Sequence, residues 1–258
     1  YTYSAPGAYT VTLIVSGLGG SDTVTKIDHI TVYDPAVADF SASPESGPAA
    51  LAVTFTDVSS GDIDTWSWDF NNDGTEDSTV QNPLFTYNTP GSYSVTLTVS
   101  GTGGSDSITK AGFITVYNPS GTDFTGTPTS GSAPLSVTYT DLSSGDIDTW
   151  SWDFDSDGTQ DSTAQNTAYT YSTPGSYSVT LSVTGPGGSD SVTKTDYITV
   201  YTPASCSFSA VQTSGIAPFA VTFTDASSGD ISDWAWDFDN DGTQDSTVQN
   251  PTYTYNIP

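Results

Sequence analysis

The sequence predicts an all-β chain of tandem, two-sheet antiparallel sandwiches, each with six or seven short strands in about 80 residues. Three observations carry this. An 84-residue period runs through the chain, marked by Gly61, Gly145 and Gly229, each opening a copy of a G-D-I…W-x-W-D-F phrase. Within a period, large apolar and small polar residues alternate, as half-buried strands require. No window shows helical periodicity with caps.

The elements follow in order. "LAVTFTD" (Leu51 to Asp57) and "TWSWDF" (Thr65 to Phe70) read as the early strands of a repeat. "YSVTLTVS" (Tyr93 to Ser100) alternates cleanly, "GTGGSDSITK" reads as a Gly-rich hairpin turn, and "FITVY" (Phe113 to Tyr117) as the next strand. "YDPA", "YNPS" and "YTPA" each place a Pro after the last strand, which predicts short, semi-rigid joints. The boundaries are then complete repeats at 36–117 and 119–201, a C-terminal half-repeat at 1–33 and an N-terminal half-repeat at 204–258.

Composition narrows the function classes. Thirty acidic residues face three basic ones, a net charge of -27, and all the acid but Glu45 and Glu76 is Asp. Such charge repels nucleic acid and anionic membranes. The 34% apolar content, rich in Val, Tyr, Phe and Trp, opposes disorder. The lone Cys206 rules out an intrachain disulfide. No segment is apolar enough to span a bilayer as a helix.

The order W-x-W-D-F, D-G, Q-N-P, then T-Y-x-x-P-G-x-Y-x-V-T-L-x-V closely resembles the polycystic-kidney-disease (PKD) domain, an immunoglobulin-like sandwich. The resemblance covers nearly the whole chain. It implies a secreted or cell-surface location, since such domains form tandem arrays in cell-surface proteins, archaeal surface layers and secreted hydrolases, as spacers, adhesive modules or structural units. One departure stands out: the family's W-D-F-G-D-G turn is lengthened to "WDFNNDG", "WDFDSDG" and "WDFDNDG", with another Asp after two intervening residues.

In the first complete repeat the lengthened turn spaces Asp69, Asn71, Asp73, the backbone of Thr75, and Asp77 at alternate positions around Gly74. The equivalents are Asp153, Asp155, Asp157, Thr159 and Asp161, then Asp237, Asp239, Asp241, Thr243 and Asp245. Calcium, a hard cation, takes six to eight oxygens, and alternate carboxylates around a Gly resemble the first nine positions of a helix-loop-helix calcium loop. Unless a cation lay among them, these like charges would repel. About one calcium per loop is therefore expected. The bidentate Glu that closes such loops is missing, with Val80 in its place, so affinity is modest or Asp62 or Asp64 supplies an oxygen. The alternative is a hydrogen-bonded Asx turn without metal.

Other features have bland readings. Trp66/Trp68, Trp150/Trp152 and Trp234/Trp236 would stack on sugars if exposed, making polysaccharide a possible partner, but such residues more often fill a core, and in the PKD family the Trp beside D-F does so. "GLGGSD" and its copies lack the G-K-[ST] of a phosphate cradle. Lys26, Lys110 and Lys194 recur at one position and are expected to pair with a carboxylate or with a neighbouring unit, the bland alternative being a solvated strand end. His29 replaces Phe113 and Tyr197 and reads as a packing change, while Cys206 replaces Ala38 and Thr122 and reads as an inert thiol near a joint, with intermolecular pairing the weaker alternative. No Asn meets the N-glycosylation rule. Groups that recur three times suit metal binding or assembly better than catalysis, so no enzymatic activity is expected.

The ends share a repeat phase: "YTYSAP" at 1–6 matches "YTYNIP" at 253–258. Neither half-repeat buries its apolar face alone. The chain is therefore expected to be an excerpt of a longer array, or to be completed end to end by another copy of itself. Both cases place Pro258 close to an equivalent of Gly7. The expected function is a structural extracellular rod, surface layer or filament; the alternative is a spacer or carbohydrate-binding arm of a secreted hydrolase or adhesin.

Overall fold

Alternation in the sequence becomes paired sheets in the computed structural model, which describes residues 1–256. The expectation for Pro258 lies outside the described residues. The chain begins with a hairpin, β1 (Gly7–Gly17) and β2 (Gly20–Val32). Seven strands follow: β3 (Phe40–Ser43), β4 (Ser46–Pro48), β5 (Leu51–Asp57), β6 (Thr65–Asp69), β7 (Leu84–Tyr87), β8 (Gly91–Gly101) and β9 (Gly104–Tyr117). The set recurs as β10 (Phe124–Thr127), β11 (Ser130–Ser132), β12 (Leu135–Asp141), β13 (Thr149–Asp153), β14 (Thr167–Tyr171), β15 (Gly175–Gly185) and β16 (Gly188–Tyr201). Three more end the chain: β17 (Phe208–Ala210), β18 (Phe219–Asp225) and β19 (Thr252–Tyr255). Among the described residues there is no helix, and so none long and apolar enough to cross a membrane.

The chain divides into two compact units. One holds Tyr1–Ser120 with Gly145–Asp148 and Thr184–Gly188; the other holds the remaining described residues. In the first, a three-stranded sheet β3-β5-β7 faces a four-stranded sheet β4-β9-β8-β6, in which only β4 and β9 run parallel. In the second, β10-β12-β14 faces β11-β16-β15-β13 in the same arrangement. A further sheet, β17-β18-β19, repeats the three-stranded half alone.

Pattern explains packing. In β5, Leu51, Val53 and Phe55 point inward while Ala52, Thr54 and Thr56 are exposed. From the opposite sheet Val95, Leu97, Val99 and Ile114 meet them, all fully buried. Phe40, Trp68, Phe70 and Tyr87 complete the core, with Phe70 stacked between Phe55 at 4.7 Å and Phe85 at 4.4 Å. Each large apolar side chain buried this way contributes about 1.5–3 kcal/mol. The Tyr87 hydroxyl, deep in this core, donates to the Phe70 carbonyl at 2.9 Å, so its polar atom is satisfied.

Two features depart from the expected elements. "SDSITK" belongs to β9 rather than to a turn: Gly101 pairs Gly104, and the ladder continues through Ser100↔Ser105, Thr98↔Ser107 and Thr96↔Thr109. Hydroxyl pairs hold this polar stretch, with Thr98 Oγ1 3.0 Å from Ser107 Oγ and Thr96 Oγ1 2.7 Å from Thr109 Oγ1. The parallel strands β4 and β11, three residues each, carry no apolar alternation that would announce them.

Candidate metal centre

The acidic loops follow β6 and β13, which carry the buried Trp68 and Trp152, and in the last repeat the residues around the half-buried Trp236. An isolated bridge, Trp68↔Ser78 and its copies, closes the base of the loop. The loop is exposed and tightly wound. Gly74 has φ +87°, a conformation side chains rarely adopt, and its N–H donates to Asp69 Oδ2 at 2.8 Å. Asp73 N–H donates to Asp69 Oδ1 at 3.2 Å, Thr75 N–H to Asp73 Oδ1 at 2.8 Å, and Phe70 N–H to Asp77 Oδ2 at 2.7 Å. The other loops repeat this wiring: Gly158 donates to Asp153 and Gly242 to Asp237, each at 2.9 Å, while Phe154 and Phe238 donate to Asp161 and Asp245 at 2.7 Å. The Asx turn is thus real, and it aims the carboxylates.

Carboxylate oxygens of Asp153, Asp155 and Asp161 lie within 4.8 Å of one another, as do those of Asp237, Asp239 and Asp245. These exposed triads could hold a metal ion, and an all-oxygen donor set suits a hard cation. Asp157 and Asp241 sit beside the triads, each accepting the N–H of Thr159 or Thr243 two residues on. In the first loop Asn71 stands where the others have Asp155 and Asp239; its amide donates to Asp73 Oδ2 at 3.0 Å. Electrostatics differ accordingly. Loss of solvent, then the Asp157 charge, pushes the Asp155 carboxyl above its ordinary value. The Thr75 N–H holds Asp73 below it, and the Gly242 N–H does the same for Asp237.

Asp62 is engaged elsewhere: its carboxylate accepts the Asp34 N–H at 2.8 Å, and its own N–H donates back to Asp34 O at 3.2 Å. The same reciprocal clamp joins Asn118 to Asp146 and Thr202 to Asp230. Asp64 uses its N–H on Ser100 O at 2.9 Å. Two lysines find carboxylates, Lys110 on Asp39 and Lys194 on Asp123, each at 2.9 Å. Each also donates to a strand carbonyl, Phe40 or Phe124, and lies 4.6 Å from that residue's ring centroid.

Trp68 and Trp152 are fully buried. Trp66 and Trp150 are half-buried and tied down in a cluster that spacing did not reveal. Asp57 accepts Trp66 Nε1 at 2.7 Å, Gln81 Nε2 at 3.0 Å and Ser59 N–H at 3.0 Å, while Asn82 Oδ1 takes the Asp57 N–H at 2.9 Å. Burial of this carboxyl opposes its ionisation, but the donors outweigh burial and hold it below the ordinary range. Asp141 and Asp225 repeat the cluster with Trp150 and Gln165, and with Trp234 and Gln249. Recurrence of all three residue types at the common period was the available signal.

The sequence profile of the family described as "PKD domain" matches residues 35–116 and 122–200. No curated protein matches the chain. Among solved structures, a three-Ig-domain I-band fragment of titin is similar at TM-score 0.55 and 14% identity, over 84% of this chain and 83% of that one. A Glu-to-Ala variant of that fragment gives the same values. Three N-terminal domains of the bacteriophage RB49 Highly Immunogenic Outer Capsid protein align over 85% of this chain and 80% of that one, at 14% identity and TM-score 0.39.

Proposed function

The chain belongs to the PKD-domain family, and from that premise we propose that it is a non-catalytic structural protein: an extracellular rod, surface layer or filament of tandem Ig-like repeats, stiffened by calcium held in the acidic loops. Repetition carries the reading. The same core, joint clamp and acidic loop recur at an 84-residue spacing, so a load borne by one repeat is borne alike by the next. Nothing in the reading calls on a singular reactive group.

Calcium fits the donor set as well as the residue spacing. Each Asp of a triad has an oxygen turned toward its neighbours, and the N–H groups of Gly158 and Asp157 fix Asp153 before any ion arrives. A cation at that point would offset the loss of solvent and the Asp157 charge that together raise Asp155. Asp153, Asp155 and Asp161 would hold the ion, which would tie the start of the loop after β13 to its end. The first loop, with Asn71 for an Asp, binds more weakly.

Calorimetry with and without calcium, at ionic strength matched with sodium chloride, tests this. Calcium is expected to raise the melting temperature by about 5 °C or more. Asp155→Asn combined with Asp161→Asn should remove the second repeat's share, and Asn71→Asp should strengthen binding in the first. A melting temperature that sodium moves as much as calcium does would refute specific binding. Negative-stain microscopy reads the rest of the proposal: extended particles or arrays support it, and globular ones do not.

A further inference from the structure

Each complete repeat contains a single Asp-Gly pair, Asp73-Gly74 in the first and Asp157-Gly158 in the second. This pair has a chemistry of its own. A glycine nitrogen has no side chain beside it and is the backbone nitrogen freest to attack the side-chain carbon of the residue before it. Losing its proton to water, it would bond to the Asp Cγ while a Cγ–O bond breaks and its oxygen departs as water. Water then reopens the five-membered succinimide. Opening at one carbonyl restores Asp; opening at the other sends the main chain through the side chain, as isoaspartate. Water leaves and water returns, so mass is unchanged and no co-reactant is needed.

Neither repeat can escape this by replacing the glycine. Gly74 and Gly158 both have φ +87°, a conformation that side chains rarely adopt. Packing does not shield the pair either. All four residues are exposed, and beyond the chain neighbours nothing lies within 4 Å of where a Cβ on either glycine would sit. Restraint is left to hydrogen bonds, and both reacting groups are held. Gly158 N–H donates to Asp153 Oδ2 at 2.9 Å, and Gly74 N–H to Asp69 Oδ2 at 2.8 Å. The Asp157 carboxylate accepts the Thr159 N–H at 2.6 Å, and that of Asp73 the Thr75 N–H at 2.8 Å. Each bond turns its group toward a partner other than the second reactant, so attack requires both to open together.

We propose that Asp157-Gly158 and Asp73-Gly74 are latent sites of backbone isomerisation, and that the carboxylates of Asp153 and Asp69 suppress it by holding the glycine N–H. The same two carboxylates also accept the N–H of Asp157 and of Asp73, each at 3.2 Å, so one side chain braces the vulnerable residue on both sides. This role uses protein groups alone and stands apart from the calcium reading. Isoaspartate lengthens the main chain by one carbon, which would undo the alternate spacing of the loop. A long-lived repeat therefore ages first where this acceptor is lost.

The test incubates the whole chain for weeks at neutral pH in a calcium chelator, so that its outcome does not depend on metal binding. Isoaspartate is then measured site by site, by peptide mapping with isoaspartyl methyltransferase labelling. Asp157 in the folded chain should react at least about tenfold more slowly than in an unstructured peptide of the same loop, because attack must first break hydrogen bonds to charged groups. Asp153→Ala should raise the Asp157 rate at least about fivefold and leave Asp73, whose acceptor Asp69 is intact, unchanged. Asp153→Asn keeps an acceptor oxygen for Gly158 and should stay closer to the parent chain than to Asp153→Ala. Asp141→Ala loosens the same repeat outside the loop and should leave the Asp157 rate near that of the parent. Equal rates in chain and peptide overturn the proposal, as does an Asp157 rate that Asp153→Ala leaves unchanged. Equal acceleration by Asp153→Ala and Asp141→Ala also overturns it, since that marks general opening of the repeat rather than loss of one acceptor.

Discussion

At the scale of single residues, the Asp57 carboxylate ties together parts of a repeat that lie outside the acidic loop. It gathers Trp66, Gln81 and Ser59 from three separate stretches of chain. Asp57→Ala leaves those donors to water, and because the site is half-open the expected loss is about 1–2 kcal/mol. The pH dependence has a definite sign. Since the donors hold the carboxyl below its unfolded value, its contribution is complete above about pH 4 and is lost as pH falls through the folded value. Asp141 is depressed in the same way. Denaturant midpoints measured from pH 7 down to pH 2 should therefore fall below about pH 4, and more shallowly in Asp57→Ala. Asp155 has the opposite sign: its raised value means that ionisation costs stability above that pH, a cost that calcium would remove. These clusters were only half legible. Period-two alternation shows that Trp66 and Trp68 share a face of β6, yet only packing decides that Trp68 enters the core while Trp66 stops at its rim on Asp57.

Among the elements, what the sequence disclosed divides by physical cause. Strands with one apolar face, such as β5 and β8, were legible because burial dictates their alternation. The outer part of β9 was not, since Ser and Thr there are chosen for hydroxyl pairing across the ladder, and that composition also suits a turn. Nor were β4 and β11, which exist through their parallel partners β9 and β16. The candidate loop was legible in its spacing, but Asp62 was not: its role depends on a joint 28 residues upstream. There the clamp and a close approach cooperate. Gly61 has φ +101°, and a Cβ on it would fall 2.2 Å from the Pro35 carbonyl oxygen. Asp62→Ala should remove the acceptor that holds the Asp34 N–H, costing about 1 kcal/mol and raising amide exchange at Asp34 and Ala36 while the β8–β9 amides stay protected. Exchange unchanged at Asp34 would show that the backbone half of the clamp suffices.

For the whole molecule, one packing rule recurs where a hairpin follows the strand that ends in Tyr. In the complete repeats the Tyr that ends β7 or β14 lies against the first Tyr of the following hairpin: Tyr87 to Tyr93 and Tyr171 to Tyr177, both at 4.5 Å. Tyr93 and Tyr177 each donate their hydroxyl to a carbonyl four residues back at 2.7 Å. Tyr9 already satisfies this pattern within its own chain, lying 4.4 Å from Tyr3 and donating to Ala5 O at 2.6 Å. Tyr255, on the exposed sheet, holds the place of Tyr87 and donates to the Phe238 carbonyl at 3.1 Å. An aromatic pair contributes about 0.5–1.5 kcal/mol beyond its area, so Tyr93→Ser should lower the unfolding free energy of the first complete repeat by at least about that much in denaturant titrations. An unchanged midpoint would show that the contact between Tyr87 and Tyr93 is incidental to the sandwich.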